Sequence, residues 1–273
     1  MNHSSGTKAR LISIVVACGI SSCALKESHP DTERLIPDGT MIAHALGGID
    51  GVAYSNSLEA FRANYAAGKS WFEVDLALTA DGHLVCFHSG HERFIGLETA
   101  IELVSTRDFL NHQYLGRYTL LTFRELLSQV SGLPGVYLVT DTKEWTPTIL
   151  DALLRDLHAA PPPLRTRVIP QIYNPEDLRL LSTVKGAHFP FPFLIFTLYQ
   201  TRMTDTQVLS FVKTSRIPVV TMSTLRFNAS LARTLHQAGV KIFVHSINTS
   251  PEVVAFTEAG ADGFYTDFYL HNQ

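Results

Sequence analysis

The sequence predicts one α/β domain, a (β/α)8 TIM barrel with a small insertion after its third strand. Two observations lead there. From Thr40 to the C-terminus, short apolar runs rich in β-branched and aromatic residues alternate with amphipathic stretches of helical length, the pattern of parallel βα units. The 273 residues also suit a single large domain, because barrels of roughly 250 residues fold as one unit. A chain that is 45% hydrophobic and 17% charged, with a formal net charge of -3, has the composition of an ordinary globular protein, and it carries no basic excess to hold nucleic acid.

Residues 1–23 stand apart from this pattern. Lys8 and Arg10 precede an apolar run from Leu11 to Ile20, and Ser21, Ser22 and Cys23 follow, which reads as a secretory signal peptide. The run is shorter than the roughly 20 apolar residues of a spanning helix, so the expectation is export to the periplasm or outside the cell. Ile20-Ser21-Ser22-Cys23 also resembles a bacterial lipobox, which leaves two outcomes open: plain cleavage, or a lipidated Cys23 holding the protein peripherally on a membrane. Residues 24–39 are polar and aperiodic and read as a linker, leaving 40–273 as the barrel.

In chain order the strand candidates are Met41–His44, Trp71–Leu78, Leu84–His88, Val136–Asp141, Val168–Tyr173, Phe193–Leu198, Pro218–Met222, Ile242–Ile247 and Gly263–Thr266, nine for eight places. Helical periodicity fills most gaps: Ser57–Ala67, Phe123–Val130, Thr148–Ala159, Pro175–Val184, Asp205–Lys213, Asn228–Ala238 and Pro251–Ala259. Gly68 and Gly239 follow helix ends, and Pro175 and Pro251 stand at helix starts. Thr79-Ala80-Asp81-Gly82 leaves no room for a helix between its flanking strands, and 89–121 is the expected insertion over one barrel mouth. Cys86 sits in an apolar strand and reads as a packed core thiol, as Trp71, Phe72 and Phe87 read as core.

Side chains alternate along a strand, so Glu73 and Asp75 share a face among apolar neighbours. Two buried carboxylates repel one another and resist desolvation, which a cation or a nearby Lys or Arg would relieve. Asp141 and Lys143 repeat the same-face spacing at another strand end, as an acid and a base. Three carboxylates offer hard oxygen ligands, favouring one divalent cation, Mg²⁺ or Ca²⁺, over zinc. His44 and His88 also close strand candidates, and barrel enzymes collect their active residues at such ends. His83 and His91 lie in polar stretches with no closed zinc spacing and read as solvated, while Tyr199 is placed to line the mouth.

Taken together, His44-Ala45-Leu46-Gly47-Gly48, Ser55-Asn56-Ser57, Glu73-Val74-Asp75, Thr79-Ala80-Asp81-Gly82, His88 and Gly260-Ala261-Asp262-Gly263-Phe264-Tyr265-Thr266-Asp267 resemble the motif set of the glycerophosphodiester phosphodiesterases. The resemblance implies a barrel enzyme that hydrolyses glycerophosphodiesters to glycerol 3-phosphate and an alcohol. It implies acid and base roles for His44 and His88, metal binding by Glu73 and Asp75, joined on its acid chemistry by Asp141, and phosphate contact by Lys143. Three positions depart from the family: Ala45 replaces an arginine, Asp141 a glutamate and His245 a tryptophan. Two other readings stay open, a phospholipase D or C acting on lysophospholipid, sphingomyelin or phosphoinositide, and an inactive exported binding protein on the same scaffold.

Overall fold

The computed structural model describes Met1 and residues 36–184, 191–199 and 201–268; the expected signal peptide, Cys23 and most of the linker lie outside the described residues. Among the described residues, no helix is long and apolar enough to cross a membrane.

The strands are β1 (Thr40–Ala43), β2 (Trp71–Leu78), β3 (Leu84–Cys86), β4 (Gln113–Tyr114), β5 (Tyr118–Thr119), β6 (Tyr137–Asp141), β7 (Val168–Ile172), β8 (Ile195–Thr197), β9 (Val219–Ser223), β10 (Lys241–His245) and β11 (Gly263–Thr266). Parallel pairing runs β1-β2-β6-β7-β8-β9-β10-β11 and closes again on β1, which completes an eight-stranded barrel. The ninth strand candidate is β3, which pairs antiparallel with β2 and stands outside the ring. Its physical cause is the Thr79–Gly82 link: four residues can close a hairpin but cannot make a parallel crossover.

Helices α1 (Leu58–Ala66), α2 (Thr106–Leu110), α3 (Phe123–Ser131), α4 (Pro147–Ala159), α5 (Pro162–Arg165), α6 (Pro175–Leu181), α7 (Asp205–Ser215), α8 (Ala229–Gln237) and α9 (Ser250–Glu258) follow in order. Thr122, Asn174, Thr204 and Thr249 each form a capping box with the residue three positions on, which satisfies backbone N–H groups that a helix start leaves without partners. The cap of α9 is thus Thr249, one residue ahead of the Ser250-Pro251 start read in the sequence. Helix α5 had no sequence signal beyond Pro162-Pro163.

Alternation along the strands divides the core in two. Outward residues such as Phe72, Val74, Leu138, Val220 and Ile242 pack under the helices. Inward residues Ile42, Trp71, Val139, Ile169, Ile195, Val219 and Phe243 fill the base of the barrel, closed from below by Ile36. Each such side chain contributes roughly 1.5–3 kcal/mol on burial. Ile36 is fully buried, Gly39 donates to the Asp262 carbonyl at 2.7 Å, and Lys241 donates to the Ile36 carbonyl at 2.8 Å. The end of the expected linker therefore belongs to the folded body.

Residues 89–121 form an insertion with its own core of Ile95, Ile101, Val104, Phe109, Tyr114, Tyr118 and Leu120, packed on Val85 and Phe87. It contains α2 and the β4–β5 hairpin, elements too short to show as periodicity. Cys86, Trp71, Phe72 and Phe87 are core residues as read.

Candidate active site

The two strands that carry the acids pair in register, with Asp75 opposite Asp141 and Glu73 opposite Val139. Alternation turns Trp71, Glu73 and Asp75 inward on β2, and Tyr137, Val139 and Asp141 inward on β6. From base to mouth the interior therefore changes from aromatic and aliphatic to acidic. Glu73, Asp75 and Asp141 each offer an oxygen, and these ligand atoms all lie within 4.8 Å of one another.

Both histidines reach this cluster, by different routes. His44 follows β1 and opens a turn in which Ala45 (φ 50°) and Leu46 (φ 65°) adopt left-handed backbone conformations before Gly47. That turn aims the Ala45 N–H at Glu73 Oε2, 2.7 Å away. Gly47 and Gly48 are required because a Cβ at either would meet Asn64 or Phe268 at well under 3 Å. His88 does not end a barrel strand, contrary to the expectation that both histidines occupy such ends. Strand β2 outruns its pairing with β6, and its last residues, 76–78, form the hairpin with β3. The return strand brings the Phe87 N–H to the Asp75 carbonyl at 2.9 Å, which delivers His88 to the mouth.

His44 Nδ1 bonds Asp267 Oδ1 at 2.9 Å, and its Nε2 lies 3.9 Å from Glu73 Oε2. Burial alone would lower its pKa, but the Asp267 bond and the charges of Glu73 and Asp75 prevail and raise it to about 9. Asp267 moves the other way, held below the usual carboxylate range by His44 and Asn248 against the effect of its own burial. Asn248 fixes this carboxylate: its Oδ1 accepts from the backbone of Asp267 and Phe268 and from the Thr266 hydroxyl, and its Nδ2 donates to Asp267 Oδ2. His88 Nδ1 pairs with the Ser89 carbonyl at 2.8 Å.

Each acid has a partner that orients it. Asn56 donates to Asp75 Oδ2 at 2.9 Å and accepts from the Asp75 N–H at 3.1 Å. Tyr173 donates to Asp141 Oδ1 at 2.5 Å. Lys143, in a left-handed conformation (φ 56°), places Nζ 2.6 Å from Asp141 Oδ2 and 3.0 Å from Asp75 Oδ1. Desolvation opposes its charge, yet Asp75 and Asp141 hold its pKa above the usual lysine value. Burial and the Asp75 charge push Glu73 up, whereas Lys143 and the histidines hold Asp75 down against burial.

This donor set fits a hard divalent cation. Glu73 Oε1 and Asp75 Oδ1 are buried without a hydrogen-bond partner, the contact of Lys143 with the latter being an ion pair only. The Lys143 ammonium reaches only Asp75 and Asp141, so carboxylate oxygens remain to ligate a cation. Glu73, Asp75 and Asp141 are the residues that would hold the ion, and a carboxylate set does not distinguish Ca²⁺ from Mg²⁺.

All six site residues read from the sequence meet at this mouth, Lys143 as counter-ion of the acids. The sequence reading had not picked out Asp267, Asn248, Asn56, Tyr173 or Tyr54. Asp267 was legible as an acid directly after the last strand, and Asn56 as the centre of Ser55-Asn56-Ser57. His91 departs from the solvated reading, whereas His83 is exposed as expected. The His91 ring is half-buried, 4.5 Å from that of His88 and 5.1 Å from that of Phe94, with the Tyr114 hydroxyl 3.3 Å from Nδ1. Tyr199 is 67% exposed and its ring lies 6.2 Å from that of His245, so both line the mouth. Burial, and then the charge on His44, lower the His245 pKa to about 4.

Part of the sequence and the whole barrel are similar to those of phosphodiester hydrolases. The model of the Glycerophosphoryl diester phosphodiesterase family matches residues 42–131, the stretch that carries His44, Glu73, Asp75 and His88. Solved structures share the fold. An Oleispira antarctica phosphodiesterase in complex with the product sn-glycerol-3-phosphate is 17% identical, with 85% of this chain and 94% of that one covered at a TM-score of 0.71. A Thermotoga maritima glycerophosphodiester phosphodiesterase is 22% identical (84% and 94% covered, TM-score 0.66). A Parabacteroides distasonis glycerophosphoryl diester phosphodiesterase is 17% identical (88% of each covered, TM-score 0.66). No curated protein matches the chain in sequence.

Proposed function

We propose that the protein hydrolyses glycerophosphodiesters to sn-glycerol 3-phosphate and an alcohol, with His44 and His88 as acid and base and one divalent cation, Ca²⁺ or Mg²⁺, on Glu73, Asp75 and Asp141. The observation that carries this reading is the pair of imidazoles at the acid cluster, each with Nδ1 engaged and Nε2 left for substrate. A carbonyl can only accept, so the Ser89 contact puts the proton of neutral His88 on Nδ1 and leaves Nε2 a lone pair, the form of a general base. The Asp267 carboxylate supports the imidazolium form of His44, whose Nε2 then carries the proton a leaving oxygen needs. When bound, a divalent cation supplies Lewis acidity at a phosphoryl oxygen. Lys143 adds positive charge where negative charge develops. The nucleophile deprotonated by His88 is water, or a neighbouring substrate hydroxyl that expels the alcohol and closes a cyclic phosphate, which water then opens to the monoester.

The product bound to the Oleispira antarctica relative supports glycerol 3-phosphate as the product class. Purified full-length protein incubated with glycerophosphocholine and, in parallel, lysophosphatidylcholine tests the reading. Release of glycerol 3-phosphate and choline from the first is expected, abolished by chelation and restored by Ca²⁺ or Mg²⁺. No release from glycerophosphocholine under any metal overturns the substrate assignment, and turnover of lysophosphatidylcholine alone moves it to lysophospholipids.

A further inference from the structure

Tyr54 stands between the two histidines. Its ring centroid is 4.7 Å from that of His44 and 5.6 Å from that of His88, edge-on to both at 75° and 87°. Its backbone lies in the left-handed region at φ 61°, uncommon for a bulky residue and typical of positions that a functional site over-determines. The anchor is next to it: Ser55, Asn56 and Ser57 are fully buried, and Asn56 grips Asp75 by both side chain and backbone. The hydroxyl is uncommitted, with no hydrogen-bond partner among the described residues. It also lies within the field of the whole cluster, since Asp267, Asp75 and Glu73 disfavour its ionisation, after burial, and Lys143 favours it.

A phosphodiester lying between His44 and His88 presents non-bridging oxygens that need donors. The obvious ones are occupied. Lys143 is held by Asp75 and Asp141, the Ala45 N–H is given to Glu73, and Ala45 has no polar side chain of its own. A phenol at neutral pH is a donor, and the ring that carries this one contacts both imidazole rings, at 4.7 Å and 5.6 Å.

We propose that Tyr54 is a substrate-binding residue whose hydroxyl donates a hydrogen bond to a non-bridging phosphoryl oxygen of the bound phosphodiester. The proposal rests on the reading of the His44–His88 gap as the phosphodiester site. It assigns this chain a neutral phosphate contact from the loop after β1.

The test compares wild type with Tyr54→Phe, both full-length and metal-loaded. Phenylalanine keeps the ring contacts with His44 and His88 and removes a hydroxyl without a protein partner, so folding is retained and the thermal midpoint should not move. Affinity for sn-glycerol 3-phosphate by calorimetry and kcat/KM on glycerophosphocholine should both fall, by roughly tenfold to a hundredfold for a hydrogen bond to a charged group. Values within twofold of wild type in both assays overturn the proposal and leave the proposed function standing. Should wild type hydrolyse no phosphodiester, the function falls and titration with sn-glycerol 3-phosphate and inorganic phosphate still decides Tyr54. Weaker binding by Tyr54→Phe then supports the contact, while equal binding, or none by either protein, overturns it.

Discussion

The two ends of the barrel interior are built from the same strands and differ in what they do. At the base, Trp71 on β2 stacks on Tyr137 of β6 with centroids 4.4 Å apart, among Ile42, Ile169, Val219 and Phe243. One inward position further up, β2 carries Glu73, and one beyond that Asp75. The base holds apolar contacts in ordinary strand geometry. The mouth holds four carboxylates, Asp267 included, with a half-buried lysine and an imidazole among them, and the loop after β1 carries Ala45, Leu46, Asp50, Tyr54 and Asn56 in left-handed conformations. Charges concentrated there and strained backbone reduce stability, and the base together with the helix-covered outer core offsets them. Stability and chemistry are thereby separated along each strand by one or two residues.

That separation breaks first at the histidines if it is wrong. His44→Ala and His88→Ala should each lower kcat by roughly 10²–10⁴-fold, the usual contribution of a positioned acid or base. The thermal midpoint of His88→Ala should stay near wild type, because that side chain does not belong to the packed base, whereas His44→Ala also strips Asp267 of its partner and should melt lower. Assaying both variants beside a melting curve checks this, and full activity in either removes that residue from the mechanism. Trp71→Ala is the mirror experiment. Trp71 is only 5% exposed, and truncating a buried aromatic costs about 3–5 kcal/mol of stability. At a temperature where the variant remains folded, its kcat should equal that of wild type; a fall in kcat with unchanged stability would invert the assignment of base and mouth.

The same division explains what the sequence made legible. Period-2 alternation placed Glu73 and Asp75 on one face, and that parity is what turns them inward together. Alternation of strands and helices gave the barrel, since every parallel crossover needs a helix that shows as periodicity. The role of β3 was harder. Its composition is that of a core strand, and only the shortness of Thr79–Gly82 tells of the antiparallel turn that brings His88 back to the mouth. The pairing of Asp267 with His44, and Asn248 behind it, escaped because it depends on closure: β11 meets β1 only when the ring shuts, with Gly48 donating to the Asp267 carbonyl at 2.6 Å. No local pattern reports a partner 223 positions away, the separation of His44 and Asp267.

A smaller effect separates charge from packing within the mouth. In metal-free protein Glu73 is raised above its ordinary value of 4.5, and His44 is raised from 6.5 to about 9. A group whose pKa is raised on folding stabilises fully below its unfolded value and loses that contribution as pH climbs through the folded one. Metal-free protein should therefore lose stability as pH rises from about 5 toward 9. Glu73→Gln should flatten the lower part of that slope, and near neutral pH it should stabilise the metal-free protein by about 1–3 kcal/mol, the scale of a buried acceptor without a partner. Adding Ca²⁺ or Mg²⁺ should raise the midpoint of wild type but not of Glu73→Gln. Denaturant titration at several pH values, with and without metal, reads all three effects, and a pH-independent wild type would break the account.

Asn248 tests the boundary itself, because it is neither base packing nor a substrate contact. Its side chain accepts three hydrogen bonds from the chain around Asp267 and donates one to that carboxylate, so it acts on His44 at second hand. Asn248→Ala should lower kcat by a factor of about 5–10, the worth of one ordinary hydrogen bond. The direction of the pH effect separates positioning from general damage. His44 must be protonated to act as acid, so the alkaline limb of kcat follows its pKa, and a less firmly held Asp267 supports the imidazolium less. The alkaline limb should thus move to lower pH in Asn248→Ala and return with Asn248→Asp only so far as Asp267 tolerates a second carboxylate beside it. A variant that loses stability while its alkaline limb stays in place would make Asn248 a structural hub and leave Asp267 to hold His44 alone.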